Sequence, residues 1–223
     1  MFNNEDTFMN WKQGLFFLII IVVLFVFVFG QRELRNHYIN KLTGLLSAGD
    51  FAGFEALSNR FLVKLLFTPY NHAYMRLNAA MMQQDKAKID GIFREFLLID
   101  DMSEQQKEDI YMKAFNYYMN EKDYDSANKY KEVIMKKVRD PQLKEQTEII
   151  YNIYALKSAE PLEKLLAQNE ETPENQRGFG EMLISECYKN QGDEKNAEKY
   201  KKLSLTHFKQ LENAIRKDDN NGK

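Results

Sequence analysis

Short polar turn sites recur along this chain at nearly constant intervals. After residue 31 there are five of them, 35, 38, 35 and 35 residues apart: Gly49-Asp50, Gln84-Asp85, Lys122-Asp123, Lys157-Ser158 and Gly192-Asp193. Between them apolar residues return every three or four positions, as at Ile110, Ala114 and Tyr117, which is the period of a helix. The pattern predicts an all-α fold with about five helix-turn-helix pairs over residues 31–216, followed by a disordered tail at 217–223.

Helix starts repeat with almost the same period. A capping residue stands before a proline or a capping-box glutamine at Thr68-Pro69, Ser103 with Gln106, Asp140-Pro141 and Thr172-Pro173. These starts are 35, 37 and 32 residues apart. Two independent markers with one period indicate an internal repeat.

The aromatic residues at helical spacing are interpreted as the core of this repeat array. Stacked helix pairs cover each other's apolar faces, so such residues pack between helices. The predicted aromatic core is Phe51, Phe54, Phe61, Phe93, Phe96, Phe115, Tyr118 and Tyr130.

Two of the repeats align without a gap at an offset of 70 residues. Tyr118, Lys122, Asp123, Ala127 and Tyr130 match Tyr188, Gly192, Asp193, Ala197 and Tyr200. In these stretches the chain resembles the tetratricopeptide repeat family, whose unit of about 34 residues is a pair of antiparallel helices. The sequence departs from the family where a small residue is usual, with Phe54, Ile89 and Leu162 in second helices. The resemblance implies an α-solenoid whose first helices line a groove for peptides.

Carried over one by one, the family's groove positions fall on residues of several repeats. They are Asn78, Asn116, Tyr151 and Glu186, and one turn earlier Met75, Lys113, Glu148 and Leu183. Asn78 and Asn116 are predicted to bond a peptide backbone, and Lys113 to meet a carboxylate. The alternative is that these are ordinary solvated side chains.

One apolar run near the N-terminus stands apart from the repeats. Leu15 to Phe29 is fifteen apolar residues without a break, and Trp11 supplies an aromatic just before it. The run reaches the short end of the spanning range, so residues 14–30 are predicted to form a single transmembrane helix after a tail of residues 1–13. A buried core helix would normally have a polar face. A signal peptide is disfavoured because acidic residues precede the run and no small-x-small site follows.

Charges beside the run predict its orientation in the cell membrane. Lys12 precedes it, whereas Arg32, Arg35 and Lys41 follow it. The positive-inside rule therefore places the repeat domain in the cytoplasm. The opposite, extracytoplasmic orientation stays open.

The residues carry no recognisable catalytic or metal-binding pattern. The three histidines His37, His72 and His207 lie far apart in the sequence, and the single cysteine, Cys187, is predicted to be a buried small hydrophobe. The chain has no glycine-rich phosphate loop between a strand and a helix. We therefore predict a protein that is not an enzyme and that needs no cofactor or metal.

Charge balance narrows the class of partner. Residues 31–223 hold 30 basic and 31 acidic side chains, which disfavours binding to nucleic acid or an anionic lipid surface. Protein or peptide partners remain, and self-association stays possible. The preferred hypothesis is a membrane-tethered adaptor or scaffold; the alternatives are an extracytoplasmic chaperone or envelope-assembly factor, and a regulatory subunit of a membrane enzyme complex.

Overall fold

A computed structural model describes residues 11–221, although the side chains of residues 11–15, 22–28, 214, 215 and 217–221 lie outside the description. Over residues 11–221 the chain forms eleven α-helices and one 3-10 turn and has no strand. The helices are α1 (Trp11–Ser47), α2 (Phe51–Ser58), α3 (Phe61–Leu66), α4 (Pro69–Met82), α5 (Lys86–Phe96), α6 (Glu104–Asn120), α7 (Tyr124–Lys137), α8 (Pro141–Tyr154), α9 (Leu162–Glu171), α10 (Gly178–Asn190) and α11 (Glu194–Asn221), with the 3-10 turn at Glu174–Gln176. The all-α prediction is confirmed for these residues.

The chain divides into two compact units. The first ends at Met102 and contains α1 to α5, and the second starts at Ser103 and contains α6 to α11. In the first unit α1 packs on α2 and α4 packs on α5, while in the second α6 packs on α7 and α10 packs on α11. Consecutive helices of each pair are joined by three residues, so each pair is a helical hairpin.

The predicted turn sites coincide with the left-handed residues of the backbone. Within residues 11–221, positive φ values occur at Gly49 (71°), Gln84 (54°), Lys122 (56°), Lys157 (53°) and Gly192 (79°). Four of the five turns close with a pair of backbone hydrogen bonds, as Lys122 N to Met119 O (3.1 Å) and Asp123 N to Tyr118 O (2.9 Å). This is the Schellman arrangement, which ends a helix with a left-handed residue.

The aspartate after each of these four turns starts the next helix. Asp50, Asp85, Asp123 and Asp193 accept a hydrogen bond from a backbone N–H three residues on, at 2.8 to 3.2 Å. These carboxylates satisfy amides that the first helical turn leaves free. In each of these turns the left-handed residue and the capping aspartate together reverse the direction of the chain within three residues.

The connection between α8 and α9 is built differently. Here Ser158 N donates to Asn152 O at 2.9 Å, and seven residues separate the two helices. Asn190 of α10 donates from Nδ2 to Ile153 O (2.9 Å) and Ser158 O (3.2 Å). The side chain of a neighbouring helix therefore supplies donors to carbonyls that this wider loop leaves open.

Thr172 does not start a helix as predicted. Its Oγ1 donates back to Gln168 O at 2.7 Å, and α10 begins only at Gly178. Arg177 donates from Nε to Thr172 O (2.7 Å) and from Nη2 to Glu170 O (3.2 Å). The threonine therefore belongs to the end of α9, whose free carbonyls it and Arg177 satisfy.

The C-terminal end also differs from the prediction. The backbone is helical to Asn221, so residues 217–221 continue α11, and residues 222 and 223 of the predicted tail lie outside the described residues. Arg216 pairs with Glu212 one turn earlier at 2.6 Å, and no glycine or proline interrupts the segment before residue 222. A segment of helix-compatible residues thus extends the preceding helix.

Each unit has its own apolar cluster. An apolar cluster in the first unit consists of Leu42, Phe54, Leu57, Val63, Phe67 and Ala79. An apolar cluster in the second unit consists of Ile153, Leu162, Leu165, Leu183, Ile184 and Cys187. Six of the eight predicted aromatic core residues are buried; Phe51 is half-buried, and Phe61 is 76% exposed.

Helix α1 continues without interruption through the predicted span at residues 14–30 and into the first hairpin. Phe16 to Ile21 and Phe29 are exposed, whereas the side chains of residues 22–28 lie outside the description. Among the residues that were described, none of the helices has the length and apolar character needed to cross a membrane.

Candidate protein-binding surfaces

The predicted groove residues have different surroundings. Asn78 on α4 and Asn116 on α6 are exposed, and Lys113 on α6 is half-buried. Glu186 on α10 is also half-buried and lies 3.6 Å from Lys189 of the same helix. Asn78 belongs to the first unit and the others to the second.

Tyr151 is not a surface residue as predicted. Its side chain is only 9% exposed, and Lys131 Nζ lies 4.7 Å from the centre of its ring. Because α7 packs on α8, the lysine of α7 covers the face of the ring. We therefore remove Tyr151 from the candidate site.

A groove of the first unit lies between the first helices of its two hairpins. Its volume is about 650 Å³, within the range of natural ligand sites. The residues that line it are Arg35, Asn36, Ile39 and Thr43 of α1, Phe67, and Tyr70, Asn71, Tyr74 and Met75 of α4. Asn78 follows Tyr74 by one helical turn, so the predicted residue stands beyond one end of this groove.

The groove combines apolar walls with amide and hydroxyl groups. The rings of Tyr70 and Tyr74 lie 5.7 Å apart, and Tyr70 also meets Phe96 edge to face at 5.5 Å. Aromatic contacts of this kind hold the tyrosines in place along α4. Asn36 and Asn71 are exposed at the groove and supply both donors and acceptors. Such a surface is suited to the backbone and apolar side chains of an extended peptide.

A second cleft in the first unit is occupied by its own charges. It has a volume of about 320 Å³ between α2, α4 and α5. Arg76 Nη1 contacts both carboxylate oxygens of Glu95, at 2.8 and 3.1 Å, and Lys88 Nζ lies 2.9 Å from Glu55. The hydrogen bond to Glu55 raises the pKa of Lys88. Because the charged groups pair with each other, this cleft is a weaker candidate for a charged ligand.

The second unit has a smaller cleft, of about 220 Å³, among α8, α9 and α10. Its walls are largely apolar, with Ile149, Ile150, Leu165, Phe179 and Leu183, and the amides of Gln146, Gln168, Asn169 and Gln176 surround them. Asn169 Oδ1 is buried there without a hydrogen-bond donor. The N–H of a bound peptide backbone would satisfy this oxygen. The lining of the cleft therefore resembles that of the α1/α4 groove, since both combine apolar side chains with amides.

Sequence reasoning missed one buried polar contact in the second unit. His207 Nδ1 of α11 lies 2.6 Å from Glu181 Oε2 of α10, and both side chains are buried. Nearby, Ser204 Oγ donates to Gly178 O at 2.7 Å. Glu181 and His207 are 26 positions apart in the sequence, so no local spacing indicates their contact. The hydroxyl of Ser204 donates to the backbone carbonyl of Gly178 and not to the imidazole of His207.

Burial also affects the reactivity of Cys187 and Tyr154 in the second unit. Burial is the main cause that raises the pKa of the Cys187 thiol to about 11, and burial likewise raises the pKa of Tyr154 to about 12. A thiol with that pKa is almost entirely protonated near neutral pH and therefore a poor nucleophile. In the part of the chain that the structure describes, no group of three or more potential ligand side chains is positioned to hold a metal ion.

Comparison with known proteins adds no assignment. No protein-family model, curated protein or solved structure matches this chain. The resemblance to tetratricopeptide repeats therefore stays a prediction from the residues themselves.

Proposed function

We propose that this protein is a membrane-tethered, non-catalytic adaptor that binds extended segments of protein partners on helical hairpins of the tetratricopeptide type. The groove between α1 and α4 is the observation that carries the proposal. It has a volume of about 650 Å³, and it combines tyrosine walls with exposed asparagines. These groups match the donors, acceptors and apolar side chains of a peptide.

The anchor belongs to the same proposal. The uninterrupted apolar run from Leu15 to Phe29 supports residues 14–30 as a single span, and α1 would transmit that span directly into the wall of the groove. The basic residues after the run favour a cytoplasmic repeat domain. A partner would therefore be held close to the membrane.

Peptide selection tests the groove. Full-length protein in detergent micelles would be used to enrich a phage-displayed library of unstructured peptides, and the enriched peptides would be measured by fluorescence polarisation. The variant Arg35→Gln/Asn36→Ala/Asn71→Ala should weaken binding at least tenfold, whereas the exposed control Asn120→Ala should not. Unchanged peptide affinity in the triple variant would rule out the groove as the binding site.

The positions inferred from the family need their own variant. Asn78→Ala/Lys113→Ala/Asn116→Ala keeps the α1/α4 groove intact but changes three of the predicted contacts. If this variant binds normally while the groove variant fails, the partner contacts the groove without those positions. The opposite result would favour the family positions over the groove.

Orientation is tested on intact cells. In a Cys187→Ser background, the exposed Lys202→Cys should react with a membrane-impermeant maleimide only after lysis. Labelling without lysis would place the repeat domain outside the cytoplasm and favour the chaperone or envelope-assembly alternative.

A further inference from the structure

Helix α3 is apolar on two sides, and only one side is covered. Val63 is fully buried, and Leu66 packs against the apolar cluster of the first unit. Phe61, Leu62 and Leu65 occupy the other side and are 76%, 49% and 69% exposed. Isolated exposed apolar residues are ordinary, but three together on a helix of six residues form a patch suited to an apolar environment.

The position of α3 along α1 indicates what that environment is. Leu65 and Leu66 share a surface pocket with Gln31, Arg32 and Arg35 of α1. These residues come two to six positions after Phe29, or about 3 to 9 Å further along the helix axis. The headgroup region is about 5 to 8 Å thick on each side of the hydrocarbon core. If the apolar run spans the core, α3 lies at the level of the headgroups.

The length of the run draws α3 further toward the lipid. Fifteen helical residues rise about 22 Å, which is less than the hydrocarbon thickness of about 30 Å. A short span is accommodated by local thinning of the bilayer and by flanking residues that reach the interface. Where the bilayer thins by less than the full difference, its hydrocarbon core extends past Phe29 toward the exposed face of α3.

Charges beside the patch complement anionic headgroups. Arg60 precedes α3 and Lys64 lies within it; both are exposed, and residues 59–67 contain no acidic side chain. Arg32 and Arg35 are exposed on the neighbouring part of α1. Overall, residues 31–67 carry five basic and three acidic side chains. The near-neutral balance of the whole chain therefore conceals a local basic excess next to an apolar patch, the combination typical of interfacial helices.

We propose that α3 is an interfacial anchor that seats the first unit on an anionic membrane surface. Phe61, Leu62 and Leu65 insert at the boundary between headgroups and acyl chains, and Arg60 and Lys64 contact lipid phosphates. The inference rests on the proposed anchor, because α1 brings α3 to the bilayer. The proposed span in α1 and the inserted face of α3 would together hold the first unit against the membrane, whereas a single helix would leave it free to pivot.

Depth-dependent fluorescence quenching tests this inference on the full chain. Single cysteines in a Cys187→Ser background would carry an environment-sensitive nitrobenzoxadiazole label at Leu65→Cys, at Leu18→Cys in the apolar run, or at Leu98→Cys, a matched leucine of the same unit that is 81% exposed. The proteins would be reconstituted in phosphatidylcholine vesicles with or without phosphatidylglycerol, and with brominated acyl chains as quencher. The label at 65 should be quenched several-fold more than that at 98.

The basic residues have a separate readout. Quenching at position 65 should be stronger with phosphatidylglycerol than without it, and Arg60→Gln/Lys64→Gln should remove this difference. Equal quenching in both lipids would overturn the contribution of the two cations.

The label at position 18 separates this inference from the anchor itself. Quenching at 18 but not at 65 would overturn the role of α3 and leave the anchor standing. Quenching at 65 but not at 18 would support α3 as a peripheral lipid contact and remove the span. Quenching at neither position would overturn both. A label at 65 that responds to protein density but not to brominated lipid would assign the face to a second copy, and the lipid inference would be wrong.

Discussion

The hairpins α6/α7 and α10/α11 are alike near their turns and different further away. Tyr118 stacks on Tyr130 with ring centres 5.6 Å apart and an interplanar angle of 18°. Seventy residues later, Tyr188 stacks on Tyr200 at 5.6 Å and 22°. Both pairs flank a Schellman turn followed by a capping aspartate. The part of the hairpin close to the turn is therefore repeated in detail.

Away from the turn the two copies hold their helices together with different chemistry. In α10/α11, Glu181 contacts His207 through a buried 2.6 Å interaction. The equivalent positions in α6/α7 are Tyr111 and Lys137, where the ammonium lies 6.0 Å from the centre of the tyrosine ring. A tight turn restricts backbone angles and therefore residue types, whereas an interhelical contact requires only that two facing side chains complement each other. This difference explains why, within these hairpins, the sequences match near the turn and not at the interhelical contacts further away.

The largest expected effect comes from breaking the buried contact. We expect His207→Ala to lower the free energy of unfolding by about 3 kcal/mol, because the carboxylate of Glu181 then stays buried without its partner. The equivalent change Lys137→Ala removes the cation–π contact with Tyr111 and should cost about 0.5–1 kcal/mol. Urea denaturation followed by circular dichroism measures both. Equal losses would mean that the two hairpins rely on the same kind of contact after all.

The tyrosine pairs should behave alike in both hairpins. Double-mutant cycles with Tyr→Leu at Tyr118 and Tyr130, and at Tyr188 and Tyr200, should each give a coupling energy of about 1 kcal/mol. The same denaturation measurements provide the values. A coupling present in only one hairpin would show that equal ring geometry does not bring equal stabilisation.

Reciprocal substitutions at the left-handed turn residues should have smaller effects on stability. Lys122 and Gly192 occupy equivalent left-handed positions, with φ of 56° and 79°. Lys122→Gly should stabilise the chain by about 0.5–1 kcal/mol and Gly192→Ala should destabilise it by about 1 kcal/mol, since only glycine adopts this region without strain. A Cβ at Gly192 would have no atom within 4 Å, so steric crowding does not enter. Thermal melts of both variants check the two signs, and a loss of stability in Lys122→Gly would contradict the argument.

The ionisation of Cys187 should affect stability only at alkaline pH. Its pKa is raised from 9.0 to about 11, mainly by burial, so the unfolded thiol ionises first. The stabilisation is fully present below pH 9 and is lost as the pH rises from 9 to 11. Cys187→Ala should make the stability profile flatter in that interval. At pH 8 the native thiol should also react with iodoacetamide about 100-fold more slowly than in urea, as its thiolate fraction is smaller by two pKa units.

A native thiol that reacts as fast as the unfolded one would contradict both the raised pKa and the burial of Cys187. An unchanged profile between pH 9 and 11 in Cys187→Ala would show that the thiol does not contribute to alkaline unfolding. Tyr154, whose pKa is about 12, would then be the group to substitute next.

Local signals predicted the elements, and contacts between helices decided which surfaces are open. The capping box of Ser103 and Gln106 forms as the residues indicate, because both hydrogen bonds join groups three positions apart. Tyr151 has no such local determinant, and it became buried because Lys131 of another helix covers it. The exposure of Phe61 follows likewise from the break at Asn59-Arg60, which separates α3 from α2 and turns one of its sides outward.

The sequence alone determined the helical composition of this protein, the places where its chain reverses, and the apolar run before its first hairpin. Each of these depends on backbone preferences or on hydrogen bonds that span a few residues, which the order of amino acids specifies directly. Only the tertiary structure decided that Glu181 meets His207, that α1 and α4 form a groove, and that α3 presents an apolar face beside basic residues. Those features join residues up to several tens of positions apart, and they depend on which side of each helix its neighbours cover.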